Sequence, residues 1–227
     1  MLVFQKRPFH SIRAIIFDMD GTLIDSIDVY YAIIRNVMEC FGMEMTYSRE
    51  GIFEILSEGK KLFDIIFPPD MKNRRRIVEQ SKTLIMKKFK ETFSRGKVKL
   101  IDEVSTLLGE LRGRGFSLGI VTSSMTEVVV PFLKARNLYS YLDCVIGRTE
   151  IPQLKPSPAP LLRCMEILQV EPPETIYVGD SAVDIQAGKA AGAWTVGVLT
   201  GSSDLYRLRA EAPDAILHSV GDLLALL

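Results

Sequence analysis

Cysteine is scarce. The three cysteines of the 227-residue chain, Cys40, Cys144 and Cys164, form no C-x-x-C pair. Neither a disulfide framework nor a zinc ribbon can be built from them, a reducing compartment follows, and each is expected to be a small buried apolar residue. The residues six positions beyond them are Thr46, Glu150 and Val170, so the C-x5-R pattern of cysteine-dependent phosphatases is missing too. The two histidines, His10 and His218, stand far apart, which argues against histidine-rich metal sites and paired-histidine phosphatases. Neither sign of charge prevails: 28 Lys+Arg balance 28 Asp+Glu, so the chain is not built to coat nucleic acid or an anionic membrane. Long apolar runs are absent as well. The longest uncharged stretch, 190–203, includes Gly, Thr and Ser, and falls short of the roughly 18 apolar residues that span a bilayer. The start, MLVFQKRPFHSIRAIIF, has no sustained apolar region before its charges, so no targeting segment is expected and the protein is read as cytoplasmic.

What remains is ordinary globular composition at a length that suits one large domain or two small ones. Residues 13–17, Arg-Ala-Ile-Ile-Phe, are short, apolar and flanked by polar residues, as in a buried parallel strand. From Asp25 to about Lys97 the pattern turns helical: Ile77, Leu84, Ile85 and Phe89 can share one face. Beyond Val98, short apolar runs at 117–121, 144–146, 175–178, 195–198 and 215–217 alternate with helical stretches at 102–113, 126–137, 158–169, 183–192 and 204–210. Such alternation predicts an α/β fold with a Rossmann-like parallel sheet covered by helices on both faces. The core would comprise 1–24 and 98–227, interrupted by an all-helical insert at 25–97, with linkers near 22–26 and 93–99. The insert carries 14 Lys and Arg against 11 Asp and Glu, an excess suited to drawing an anionic substrate into the gap.

Ligands of open α/β sheets bind beyond the carboxyl ends of the strands. Asp18 and Asp20 follow the first strand, Thr122 with Ser123 and Ser124 the second; Lys155-Pro-Ser-Pro precedes the helix at 158, and Gly179-Asp-Ser with Asp184 follows the fourth. Four acids, one hydroxyl and one ammonium would thus converge on one rim. Carboxylates alone would repel a phosphate and each other, whereas a hard cation with oxygen ligands reconciles them, and Mg²⁺ uses one or two carboxylates together with the phosphate. One carboxylate can then attack phosphorus, a second two residues on can give and take protons, and lysine and hydroxyl can hold the phosphoryl oxygens. Each piece alone has a blander reading: Asp-x-Asp-Gly as a turn, Thr122 as a helix cap, Lys155 as a solvated charge. Their shared placement at strand ends favours phosphoryl transfer.

The same residues resemble a known family. Asp18-Met-Asp-Gly-Thr-Leu-Ile-Asp-Ser26 resembles the first motif of the haloacid dehalogenase superfamily of phosphatases, Val121-Thr-Ser123 its second, Lys155-Pro-Ser-Pro158 its third and Gly179-Asp-Ser-Ala-Val-Asp184 its fourth. The run 187–198 and Leu199-Thr-Gly201 match as well, the insert lies where the family carries a helical cap, and the likeness is nearest to the phosphoglycolate phosphatase-like branch. The resemblance implies that Asp18 is the nucleophile that forms a phospho-aspartate. It makes Asp20 the general acid/base, with its backbone carbonyl on Mg²⁺. Thr122 would bind the phosphoryl group, and Lys155 would neutralise nucleophile and phosphate. Asp180 would ligate Mg²⁺, with Asp184 supporting it directly or through water. Backbone N–H groups near Met19 and Ser123 would add phosphate donors. Gly59-Lys60-Lys61 resembles the place where cap residues meet substrate, against the alternative of two exposed helical lysines.

The expected activity is therefore a Mg²⁺-dependent phosphatase of a small phosphorylated metabolite, acting on neither nucleic acid nor membrane. A phosphomutase or pyrophosphatase on the same chemistry is the enzymatic alternative, the mutase weakened by Tyr30 where such mutases often carry histidine. A phospho-aspartate receiver module, from a different functional class, also uses acids, Mg²⁺, Thr and Lys. A receiver lacks both the helical insert and the terminal Gly-Asp-Ser-Ala-Val-Asp found here.

Overall fold

The computed structural model describes residues 3, 4, 9, 11–49, 51, 52, 55 and 62–227. Strand β2 (Ala14–Phe17) is buried at every position and lies between β5 (Ser117–Val121) and β7 (Thr175–Gly179), parallel to both. A strand covered on two faces has no polar side to alternate with, hence its unbroken apolar sequence. β6 (Cys144–Ile146) extends the sheet beyond β5, and β8 (Trp194–Val198) and β9 (Ala215–Leu217) extend it beyond β7, all parallel. The short β1 (Val3–Phe4) closes the β9 edge antiparallel, giving the order β1-β9-β8-β7-β2-β5-β6. The chain runs outward from β2 to β6, then recrosses to β7 on the other side of β2. Asp18 follows β2 at this reversal of direction, where open sheets form their ligand crevice.

The two faces have separate cores. Ile15, Phe17, Ile176 and Val178 pack with helices Val104–Gly113 and Thr126–Ala135. Ala14, Ile16 and Tyr177 pack with helices Ala159–Leu168 and Ala182–Ala191. Cys144 and Cys164 are buried in this second core as expected, but Cys40, near the end of a helix, is exposed. The expectation of three buried cysteines is corrected there: the buried stripe of helix Ile27–Cys40 runs through Ile27, Ile33, Ile34, Val37 and Met38 and misses position 40.

Among the described residues, everything between Ser26 and Lys97 is helix or loop, with helices Ile27–Cys40, Leu62–Ile66 and Arg74–Ser94. In the last of these, Ser81, Ile85, Phe89 and Phe93 are the buried positions, an i, i+4 row that points one way. The expected linkers are more ordered than the sequence suggested. Helix Arg74–Ser94 runs through Phe93, and the two crossings pair as an antiparallel ribbon of β3 (Ile24–Asp25) and β4 (Lys99–Leu100). Pairs of this length, far apart in sequence, leave no periodic signal. The Arg136 guanidinium, from the end of helix Thr126–Ala135, donates to the Gly96 and Val98 carbonyls at 3.1 and 2.7 Å. No described helix is long and apolar enough to cross a membrane.

Phe93 ties the helical segment to the α/β core. Its ring meets Phe132 at 5.3 Å and Phe89 at 6.0 Å, and it is buried. Removing a buried phenylalanine side chain costs about 3–5 kcal/mol when the surroundings cannot collapse. Phe93→Ala is therefore expected to lower stability by about 3 kcal/mol in urea denaturation, whereas Phe93→Leu, which keeps most of the volume, should lose less than half of that.

Candidate active site

The rim beyond β2, β5 and β7 gathers the acids. Asp18 leaves β2 directly, its backbone N–H donating to the Val178 carbonyl at 2.8 Å, so the main chain is pinned to the neighbouring strand. Asp180 follows β7. Asp184 lies in the first turn of helix Ala182–Ala191 and forms a capping box with Ser181: each side chain accepts from the other residue's backbone N–H. The Ser-Ala-Val-Asp sequence thus builds the helix start and aims Asp184 at the rim in one step.

Asp18, Asp180 and Asp184 each place a carboxylate oxygen within 4.8 Å of the others, and they are 5%, 3% and 1% exposed. Lys155 Nζ joins them, donating to Asp18 Oδ1 at 2.5 Å, Asp184 Oδ1 at 2.6 Å and the Tyr177 hydroxyl at 3.0 Å. Tyr177 in turn donates to Asp184 Oδ1 at 3.0 Å, and the Ser181 hydroxyl donates to Asp184 Oδ2. Asp180 accepts from Thr22 at 3.3 Å and from the Ser202 N–H and hydroxyl at 2.6 and 2.8 Å. Space for Asp180 is held open by two glycines. A Cβ on Gly201 would lie 2.0 Å from Asp180 Oδ2, and one on Gly21, whose φ of +86° already excludes most side chains, would lie 2.9 Å from it.

Asp20 stands apart from this cluster. Its side chain is half-buried and accepts from the hydroxyls of Ser26 on Oδ1 at 2.7 Å, and of Ser124 and Thr122 on Oδ2 at 2.7 and 3.3 Å. Of the four acids expected to bind metal through their side chains or backbone, Asp20 therefore does not bring its carboxylate into the group of three. Thr122 is buried beside it, while Ser123 is exposed. Lys60 and Lys61 lie outside the described residues. Sequence reasoning gave no site role to Tyr177, Ser202, Thr22, Ser26 or Tyr30, the last noted only as standing where mutases often carry histidine. Tyr177 reads as an ordinary strand residue, and the hydroxyls reach the site only through tertiary packing; Ser124 was visible beside Thr122 but had no role.

Burial raises the Asp18 carboxyl well above the usual carboxylate range; Lys155 opposes this, and the neighbouring acids add to it. Burial, then the Asp184 charge, push Asp180 up to about 6, against the Ser202 hydrogen bonds. Burial alone would pull Lys155 down, but Asp18 and Asp184 outweigh it and hold the ammonium well above its ordinary value. Three carboxylates against one ammonium leave an excess of two negative charges when all are ionised. Buried charge of that size needs a counter-charge. Hard oxygen donors at this spacing fit a divalent cation such as Mg²⁺.

Known proteins resemble the chain in sequence and in fold. The model of the haloacid dehalogenase-like hydrolase family matches residues 15–198. The chain is 31% identical to a phosphoglycolate phosphatase of Escherichia coli strain K12, over 95% of this chain and 92% of that one. It is 32% identical to the pyrophosphatase PpaX of Anoxybacillus flavithermus, over 96% and 97%. Among solved structures, CbbY from Rhodobacter sphaeroides in complex with phosphate superposes with a TM-score of 0.77 at 21% identity, covering 95% of this chain and 99% of that one.

The cluster sets a pH dependence. The Asp180 carboxyl titrates near 6 when folded against 3.8 for an ordinary carboxyl. Without a cation its contribution to stability is full at low pH and is lost as pH rises from about 4 through about 6. A divalent cation needs the ionised form, so below pH 6 it must expel a proton and above pH 6 it need not. Saturating Mg²⁺ is expected to raise Tm clearly well above pH 6 and much less well below it, with the shift abolished by chelator and by Asp180→Asn; differential scanning fluorimetry checks it.

Proposed function

The chain belongs to the haloacid dehalogenase-like hydrolases, and on that footing we propose that it is a Mg²⁺-dependent phosphatase of a small phosphorylated metabolite, phosphoglycolate-like in character, working through a phospho-aspartate on Asp18. The observation that carries the proposal is the buried Asp18, braced by Lys155 at 2.5 Å, beside a separate, hydroxyl-held Asp20 two residues on. One carboxylate sits among charges that favour attack on phosphorus, the other among neutral donors that suit proton transfer.

In this reading an Asp18 oxygen attacks phosphorus and the bond to the leaving oxygen breaks, its electron pair staying with that oxygen. Asp20 gives its proton to the leaving oxygen as this happens. The Asp20 carboxylate then takes a proton from water, whose oxygen attacks phosphorus; the bond to Asp18 breaks and inorganic phosphate leaves. Asp18, Asp180 and Asp184 would hold the Mg²⁺, which when bound neutralises charge on the transferring phosphoryl group. Lys155 opposes the burial that raises the Asp18 carboxyl and would offset the phosphoryl charge. Thr122 and the backbone near Ser123 would hold phosphoryl oxygens. Residues 25–97 would form a lid that pivots on the β3–β4 ribbon and excludes bulk water. A pyrophosphate substrate is the second reading, favoured by the likeness to PpaX.

Asp18→Asn is expected to abolish both turnover and the phospho-enzyme trapped from labelled substrate. Asp20→Asn should lower turnover of alkyl phosphates by about 10²–10⁴-fold while a phospho-enzyme can still form. Wild-type turnover by Asp18→Asn would overturn the proposal. In a panel of phosphorylated compounds, small anionic monophosphates should outperform phosphopeptides, because a closed helical roof admits only small leaving groups. Rapid hydrolysis of a folded phosphoprotein with small phosphates untouched would sink the lid.

A further inference from the structure

The hydroxyls around Asp20 have a fixed direction. Ser124 Oγ lies 2.7 Å from Asp20 Oδ2 and 3.2 Å from the Tyr30 hydroxyl. A serine hydroxyl has one proton to give. The shorter contact, to a carboxylate, claims it, so Tyr30 donates and Ser124 accepts. Thr122 is committed in the same way: its Oγ1 accepts from the Ser124 backbone N–H at 3.0 Å and donates to Asp20 Oδ2 at 3.3 Å. Burial, reinforced by the Asp20 charge, raises the Tyr30 phenol, so it remains protonated and a donor.

The two ends of this chain stand on different parts of the molecule. Ser124 belongs to the loop after β5, whereas Tyr30 belongs to helix Ile27–Cys40. The Tyr30 ring is set from a third element, tilted against Phe89 of helix Arg74–Ser94 with centroids 4.1 Å apart. The hydroxyl that orients Ser124 therefore arrives only with the helical segment seated on the core.

We propose that Tyr30 is a positioning residue for proton transfer: through Ser124 it holds the Asp20 carboxyl in place, and it does so only while helix Ile27–Cys40 lies against the loop after β5. The inference rests on the reading of Asp20 as the proton donor. The proton delivered to the leaving oxygen is Asp20's own; Tyr30 and Ser124 keep theirs. A protonated carboxyl still accepts hydrogen bonds, so the chain supports Asp20 both before and after the transfer. Without the Tyr30 donor, the Ser124 hydroxyl is free to turn, and Asp20 Oδ2 loses a partner that each link of the chain strengthens.

The test compares kcat/KM, which reports phosphoryl transfer to Asp18, for two substrates. Phosphoglycolate expels an alkoxide that needs a proton; p-nitrophenyl phosphate expels a phenolate that does not. Asp20→Asn should depress the ratio of the first to the second strongly. Tyr30→Phe, which keeps the ring packing on Phe89, should depress the ratio about fivefold, the worth of one hydrogen bond. Ser124→Ala should depress it at least as much, and adding Tyr30→Phe to Ser124→Ala should change it little, because the chain is already cut. A merely structural role for Tyr30 would lower both substrates in parallel; a parallel fall, or an unchanged ratio in Tyr30→Phe while Asp20→Asn depresses it, overturns the inference. An unchanged ratio in Asp20→Asn overturns the reading of Asp20 itself and the inference with it.

Discussion

The surplus of negative charge at the end of β2 governs the rest of the site. Asp18, Asp180 and Asp184 are nearly sealed from water and share one ammonium, that of Lys155. Isolated buried carboxylates are costly, and each here is offset by specific donors: Lys155 for Asp18, Thr22 and Ser202 for Asp180, Ser181, Tyr177 and Lys155 for Asp184. Those donors come from segments spread along the chain from Thr22 to Ser202. Bringing them together demands close backbone approach, hence Gly21 and Gly201 against Asp180. A parallel sheet that reverses direction beside β2 brings several strand ends to one rim, and so meets the demand.

Asp20 shows how the same short motif produces two environments. Two residues along the chain from Asp18, it escapes the charged cluster and faces the hydroxyls of Ser26, Ser124 and Thr122. One acid is surrounded by charge and the other by neutral donors. That separation would let the two carboxylates take different parts in the proposed reaction. The helical segment adds to the second environment through Tyr30, and it is joined to the core by a paired ribbon and by Phe93 packed on Phe132.

Much of this was legible in the residues. The strands at 117–121, 144–146 and 215–217 fall where their apolar runs put them, and helix Thr126–Ala135 starts at the expected residue. Asp18, Asp180, Asp184 and Lys155 were read, together with Asp20 and Thr122, as one group from their positions at strand and helix ends; the first four meet within hydrogen-bonding or ligand distance, while Asp20 and Thr122 pair beside them. Features that depend on pairing across the chain were not legible. The two-residue strands β1, β3 and β4 are too short to show a period, and the exposure of Cys40 depends on which face of its helix is covered.

Order along the chain, the alternation of strand and helix, and the types of group available at each strand end were decided by the sequence itself, because periodicity and local turn chemistry are short-range. Tertiary structure alone decided which oxygen of which acid faces Lys155, that Asp20 turns away to Ser26 and Ser124, and that a tyrosine from the helical segment completes its shell. Those outcomes depend on the direction of single protons and on distances of a few tenths of an ångström between residues remote in sequence, which no local pattern encodes.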